Sequence, residues 1–174
     1  MTSRATPEAI RSIIRRSHHE SSDKLNILTF CTHERYEQKL CQTGHNFYSI
    51  NYGKTWDTDY GDIPENYYIV RDVLPYIDFD LILCHTACDR LGTSYNIKND
   101  LNIPIMLHMH VLPDVRSDVS AQVHQLQTAA ANVDQKSFIS DFSMRAWGST
   151  LSDATFIEHG VETDFWNIDT KAVR

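Results

Sequence analysis

Apolar residues fall along this chain in short runs that alternate with stretches of helical spacing. LNILTF (25–30) reads as a buried strand, ERYEQKLCQ (34–42) as a helix closed by Gly44, and NFYSI (46–50) as the next strand. A polar, aromatic-dotted loop, NYGKTWDTDYGD, follows. Residues 63–77 then place apolar side chains at 69, 70, 73, 74 and 77 behind Asp62 as a cap, a spacing that predicts a helix. DLILCH (80–85) predicts a strand, 88–101 a helix, 103–111 a strand and 119–133 a helix. Two further short runs, KSFIS and ATFIE, predict the last strands. Between them DFSMRAWG predicts a short helix with Ser140 or Asp141 at its cap and Arg145 in its turn. At the other end, residues 7–17 predict a helix: Thr6 caps it, Pro7 fits its first turn, and Ile10, Ile13 and Ile14 share a face. A polar connection, 17–24, joins it to the first strand.

Strands that run almost continuously apolar and alternate with helices are buried on both faces, which implies a mainly parallel sheet covered by helices on each side. With right-handed crossovers the expectation is an α/β, Rossmann-like doubly wound domain over 25–174, preceded by an N-terminal helix and connection over 1–24. The pattern leaves the strand order open.

Composition narrows the function classes. A chain of 174 residues is one domain by size, and a net charge of −7 argues against a nonspecific nucleic-acid binder. No apolar stretch approaches the ~20 residues of a membrane span. The N-terminus has arginines (Arg4, Arg11, Arg15, Arg16) but no apolar core of signal-peptide length, so its helix is expected to pack on the domain. Cys31, Cys41, Cys84 and Cys88 form no CxxC pair, and reduced, mostly buried thiols in a cytoplasmic protein are the expectation.

Ligands of open parallel sheets bind beyond the carboxyl ends of the strands, and here those ends collect histidine. The first strand runs into Thr32-His33-Glu34, the strand at 80–85 ends in His85, the next in His108-Met109-His110, and the last in Glu158-His159-Gly160. Four of the nine histidines (His33, His85, His110, His159) thus point to one rim, where they could bond hydroxyl groups, orient a charged group or simply serve as caps and core. His85, His108 and His110 also raise the alternative of a metal site, but no nearby carboxylate has ligand spacing, and no metal is expected. The first strand-to-helix turn, FCTHERYE, contains no glycine, which counts against an NAD-dependent enzyme or an NTPase. No GxSxG or other nucleophile motif is present.

Three stretches in order carry a resemblance. DFDLILCH looks like a strand of the form x-D-hydrophobic-hydrophobic-x-x-H. LNIPIMLHMH is similar to G-I-P-hydrophobic-V-x-T-x-H. KSFISDFSMRAWG, followed by ATFIEHGVETDFW, looks like a serine-bearing strand leading to N-G-V-D-x-x-x-F. From about Leu25 to Trp166 the chain resembles the acceptor-side, N-terminal domain of GT-B glycosyltransferases, in particular the retaining, family-4-like group. The resemblance implies transfer of a sugar from a nucleotide-sugar donor to a hydroxyl acceptor, with no metal or other cofactor. It assigns His110 to the donor sugar, where it would stabilise developing charge. His33, Glu34 and His85 fall to the acceptor side, and Glu158, His159 and Gly160 to the interdomain cleft. The acceptor (sugar, lipid or protein) is left unspecified.

Two departures qualify these expectations. THERYE replaces the family's glycine-rich first loop. The family's second domain, which holds most of the donor, does not follow within these residues, so little transferase activity is expected of this chain alone. A non-enzymatic binding protein, or one subunit of a split transferase joined through a cleft face near Phe165 and Trp166, is the alternative expectation. A homo-oligomer through that face is also open.

Overall fold

A computed structural model describes residues 24–85, 90–148 and 153–157. The predicted helix at 7–17, Cys88, and Glu158, His159 and Gly160 lie outside the described residues. Seven parallel strands form one sheet: β1 (Asn26–Phe30), β2 (Asn46–Ile50), β3 (Tyr67–Val70), β4 (Leu81–Cys84), β5 (Ile105–Met109), β6 (Gln135–Phe138) and β7 (Thr155–Phe156). Their order is β3-β2-β1-β4-β5-β6-β7, so the chain builds outward from β1 in one direction, then returns to β1 and builds in the other. The helices are α1 (Glu34–Cys41), α2 (Arg90–Leu101), α3 (Val119–Ala129) and α4 (Asp141–Ala146). The expected Rossmann-like α/β class is what the chain adopts.

Strand periodicity sorts the core into two layers, because successive side chains leave a strand on opposite faces. Ile27, Phe47 and Leu83 join Cys41, Trp56 and Tyr67 in the smaller cluster, on the face that α1 covers. Leu28, Phe30, Ile82, Cys84, Ile105, Leu107 and Met109 face the other way, against Leu91 and Ile97 of α2, Leu126 of α3 and Trp147 after α4. The two directions of sheet growth therefore carry their helices on opposite faces, as crossovers of a single hand require.

One element differs in kind from its expectation. Residues 67–70, predicted within a helix over 63–77, form edge strand β3. Tyr67-Tyr68-Ile69-Val70 is aromatic and β-branched, and these side chains suit a pleated surface better than a helix. The ladder to β2 runs from Phe47↔Tyr67 to Ile50↔Val70, and Tyr68 stacks on Tyr48 with ring centroids 4.8 Å apart. Asn66 anchors the entry by donating to the carbonyls of Cys41 (2.8 Å) and His45 (2.7 Å). Val73, Leu74 and Ile77, which completed the apparent helical stripe, pack on the larger core cluster from an irregular segment.

Local signals at the other elements act as read. Ser140 caps α4 by accepting from the Ser143 amide at 3.1 Å, and Arg145 pairs with Asp141 one turn earlier. Polar braces hold the amino edge of the sheet. Asp80 accepts from the Asn26 amide at 2.8 Å, and Asp134 accepts from the Ile105 amide at 2.8 Å and from Lys98. Burial opposes the Asp134 charge, but the Lys98 and Ile105 donors outweigh it and lower its pKa from the ordinary 3.8. Its contribution is therefore present above that value and lost as pH falls through the lowered one. Asp134→Ala is expected to cost about 1 kcal/mol at pH 7, a modest figure because the carboxylate is partly exposed. Urea midpoints at pH 7 and pH 3 check this: the wild-type advantage should shrink at pH 3, and an undiminished advantage there would count against it.

Candidate functional site at the strand-order reversal

The strand order reverses between β1 and β4, and beyond the carboxyl ends of such a pair an open sheet forms its natural crevice. His85 follows β4 directly, and His110 follows β5, the neighbouring strand. The two rings meet: His85 Nδ1 lies 3.2 Å from His110 Nε2. On its other side His85 Nε2 lies 3.2 Å from the Thr29 hydroxyl, which itself donates to the Leu83 carbonyl. Thr29 is fully buried and His85 is 2% exposed, so water does not compete for these bonds. Tyr36 of α1 packs edge-on against both imidazoles, with centroid distances of 5.0 Å to His85 and 4.2 Å to His110. His108, on the same side of the chain, sits 4.7 Å from the His110 ring and bonds Ser137 at 2.7 Å. Just past the cluster, Trp147 donates from Nε1 to the Val111 carbonyl at 2.7 Å and pins the segment that carries His110.

Of the residues expected at this rim, His85 and His110 come together, while His33 and Glu34 engage other partners. His33 is the cap of α1: its Nδ1 accepts from the Arg35 amide at 3.2 Å, and its ring tilts against Tyr60. Glu34 is buried, pairs with Lys54 at 3.0 Å and accepts from the Asp57 amide. Burial opposes its charge, but its backbone amide and the Lys54 donor prevail, so its pKa is lowered and it stays ionised. Lys54 also donates to the Thr32 carbonyl at 2.8 Å, which ties the loop after β2 to the turn after β1.

That first turn cannot serve as a phosphate cradle in the usual way. In dinucleotide-binding sheets its amides face the pyrophosphate. Here Glu37 Oε1 accepts from both the amide (2.9 Å) and the hydroxyl (2.8 Å) of Thr32. With Glu34 beside it, an incoming phosphate would meet carboxyl groups instead of unoccupied donors. Cys31 in the same turn is no activated nucleophile, since burial raises its pKa above 9.0 against the opposing charge of Lys54. Burial likewise lifts the Tyr36 hydroxyl above its ordinary 10.0, with the Glu37 charge adding to it, so the phenol keeps its proton.

Two cavities flank the reversal. A groove of about 670 Å³, mainly apolar, runs beside α1 from His45 to Tyr36, His108 and His110. Another of about 800 Å³ lies beyond β2 and β3, where Tyr52, Lys54, Trp56 and Arg71 contribute. At its margin the Arg90 guanidinium stacks 4.0 Å from the centre of the exposed Tyr52 ring. Both volumes fall in the range of small-molecule sites. Among the described residues no three His, Cys, Asp or Glu side chains converge to hold a metal ion, and no helix is long and apolar enough to cross a membrane.

Thr29 and Tyr36 are members of this candidate site that strand-end reading overlooks. Thr29 had a signal: it is a hydroxyl inside a run of apolar residues on a strand buried along its whole length. Tyr36 had none, because only the packing of α1 brings it to the histidines. No family model matches this chain, and no curated protein matches it.

Proposed function

We propose that this domain is the acceptor-side half of a GT-B-type glycosyltransferase, which moves a sugar from a nucleotide donor to a hydroxyl acceptor. The observation that carries the reading is the joined pair His85–His110 beyond β4 and β5, next to the strand-order reversal. Imidazoles held in place by hydrogen bonds suit hydroxyl recognition, and a preorganised polar group near a reacting sugar stabilises charge that develops there. The filled turn before α1 agrees with a division of labour in which this half contributes little to holding the diphosphate. Its contribution would be the acceptor and one wall of the cleft. The motifs DFDLILCH and LNIPIMLHMH, which end in His85 and His110, supply the link to the family.

Calorimetric titration of this 174-residue chain with UDP- and GDP-sugars tests the division of labour. Binding weaker than micromolar, a free energy short of about −8 kcal/mol, is expected. Micromolar binding of a nucleotide sugar would overturn it. Acceptor recognition is read separately, by following the ring resonances of His85, the acceptor-side histidine, while a panel of mono- and oligosaccharides is added. Selective shifts at that ring support the proposal, and a ring unmoved by every sugar would sink it.

A further inference from the structure

Among the described residues, the cavity of about 800 Å³ beyond β2 and β3 shares no lining residue with the groove beside α1. Its most unusual wall is Tyr52. Two non-glycine residues among those described have a positive φ, Asn102 at 55° and Tyr52 at 49°. Asparagine enters the left-handed region readily after a helix, whereas a bulky aromatic residue there is an outlier that its surroundings must hold. The Asn51 carboxamide fixes the turn by accepting from the Gly53 amide at 3.0 Å and donating to the Lys54 carbonyl at 2.6 Å. Phe30 lies nearly parallel to the Tyr52 ring at 6.3 Å, and the Arg90 guanidinium sits 4.0 Å from its centre. Arg90 is only 6.0 Å from the Phe30 ring, so the two do not sandwich Tyr52, and neither covers its far face. Tyr52 remains 54% exposed and lines the cavity beside Ile63 and Ile69, which are also exposed.

Charge selects what these walls can take. Arg71 follows β3 directly and is exposed at the cavity. Of the other described arginines, Arg35 and Arg90 lie over Tyr60 and Tyr52, and Arg116 and Arg145 pair with Asp114 and Asp141. Arg71 makes no such contact with any described residue. The cavity's other cation, Lys54, is offset by Glu34 at 3.0 Å. No carboxylate stands among the described residues that line the cavity; Asp57, in the same loop, caps the short turn at Thr58–Tyr60 by accepting from the Asp59 amide. We infer that this cavity binds a small anionic ligand with a flat, apolar body, in which a ring lies against Tyr52, Ile63 and Ile69 and a carboxylate or phosphate group meets the Arg71 guanidinium. A planar guanidinium donates two parallel bonds to either anion, a match that an ammonium group lacks. Stacking on the open face of Tyr52 adds to the affinity, and the left-handed turn is what presents that face. The site is independent of the glycosyltransferase reading, because it uses neither His85 nor His110.

Amide proton–nitrogen spectra of the full chain, recorded while benzoate, phenyl phosphate or benzamide is added, test the site. Either anion should give saturable shifts at the Tyr52, Gly53 and Arg71 amides with a dissociation constant in the millimolar range, and the tighter of the two identifies the carboxylate or the phosphate class. Benzamide has the shape of benzoate without its charge and should bind at least about tenfold more weakly. No saturable shift at these amides from either anion, or benzamide as tight as benzoate, overturns the inference whether or not any variant folds. Arg71→Gln, at an exposed position, should reduce the anions to the level of benzamide. Tyr52→Gly keeps the turn, since glycine adopts its φ without strain, and should weaken both anions by about fivefold. An Arg71→Gln protein that is folded by circular dichroism and retains wild-type affinity would overturn the ion pair, and a folded Tyr52→Gly protein that does so would overturn the part given to the ring.

Discussion

Truncation of Phe47 to alanine is expected to destabilise the fold by about 3–5 kcal/mol and to lower the thermal midpoint by roughly 10 °C. Phe47 is completely buried at the centre of the smaller cluster, where β2 faces α1. Among the described residues that cluster has six buried members, so removal of one aromatic ring leaves a cavity that few of these neighbours can collapse to fill. The loss would be a large part of the ~5–15 kcal/mol that holds an ordinary domain together. The effect should also reach the rim, because α1 packs on this cluster and carries Tyr36 to the imidazoles. Denaturant melts give the stability change, and the His85 and His110 resonances report the rim. Tyr76→Ala, at a half-exposed ring, serves as the control and should change stability by less than about 0.5 kcal/mol. A Phe47→Ala loss below 1 kcal/mol would mean that α1 is not supported as described.

Substitution of Glu37 by glutamine should act in the opposite direction and stabilise the protein at neutral pH by on the order of 1 kcal/mol. Glu37 is wholly buried, and Oε2 makes no hydrogen bond; neither do the hydroxyls of Tyr67 and Ser49 beyond it. Burial raises its pKa above the ordinary 4.5, while the Thr32 donors and the Lys54 charge pull it down without prevailing. The sign follows from proton linkage. Between 4.5 and the raised value the folded state binds more protons than the unfolded one, so stability is full below 4.5 and declines as pH rises through the folded value. Glutamine keeps an acceptor for both Thr32 bonds, removes the charge, and offers a donor toward Tyr67. Urea midpoints at pH 4.5 and 8 should therefore fall in the wild type and stay nearly level in Glu37→Gln. A wild-type protein that gains stability over that interval would refute the argument. Glu37→Ala, which leaves the Thr32 donors without their acceptor, should destabilise at both pH values.

The contrast between Glu37 and Asp134 shows what a sequence conceals. Both are carboxylates near the start of an element, Glu37 in the first turn of α1 and Asp134 just before β6, and neither local sequence shows its burial. Glu37 lies on the buried face of α1, where desolvation prevails, while Asp134 is half open beside Lys98, where the donors prevail, and their pKa values move in opposite directions. The same holds for the histidines. Each stands at or near the end of a recognisable strand, which is why His33, His85, His108 and His110 could all be picked out. Whether a given one caps its own helix, as His33 does, or meets a partner 25 residues away, as His85 meets His110, depends on ring direction after packing.

Local sequence determined the alternation of strand and helix, the burial of β1, β4 and β5 on both faces, and the Ser140 cap, because each depends on periodicity or on groups a few residues apart. It also excluded a glycine cradle at the first turn. Tertiary structure decided the rest. Pairing with β2 made a strand of residues 67–70, since a ladder with a cross-strand aromatic stack outweighs a weak helical stripe. Strand order placed β4 beside β1 and β5 beside β4, and only that adjacency turns Thr29, His85 and His110 into one hydrogen-bonded chain. The physical reason is common to both: hydrophobic period is written in neighbouring residues, whereas register, burial and side-chain pairing are set by groups that the folded sheet brings together from 25 to 56 residues apart.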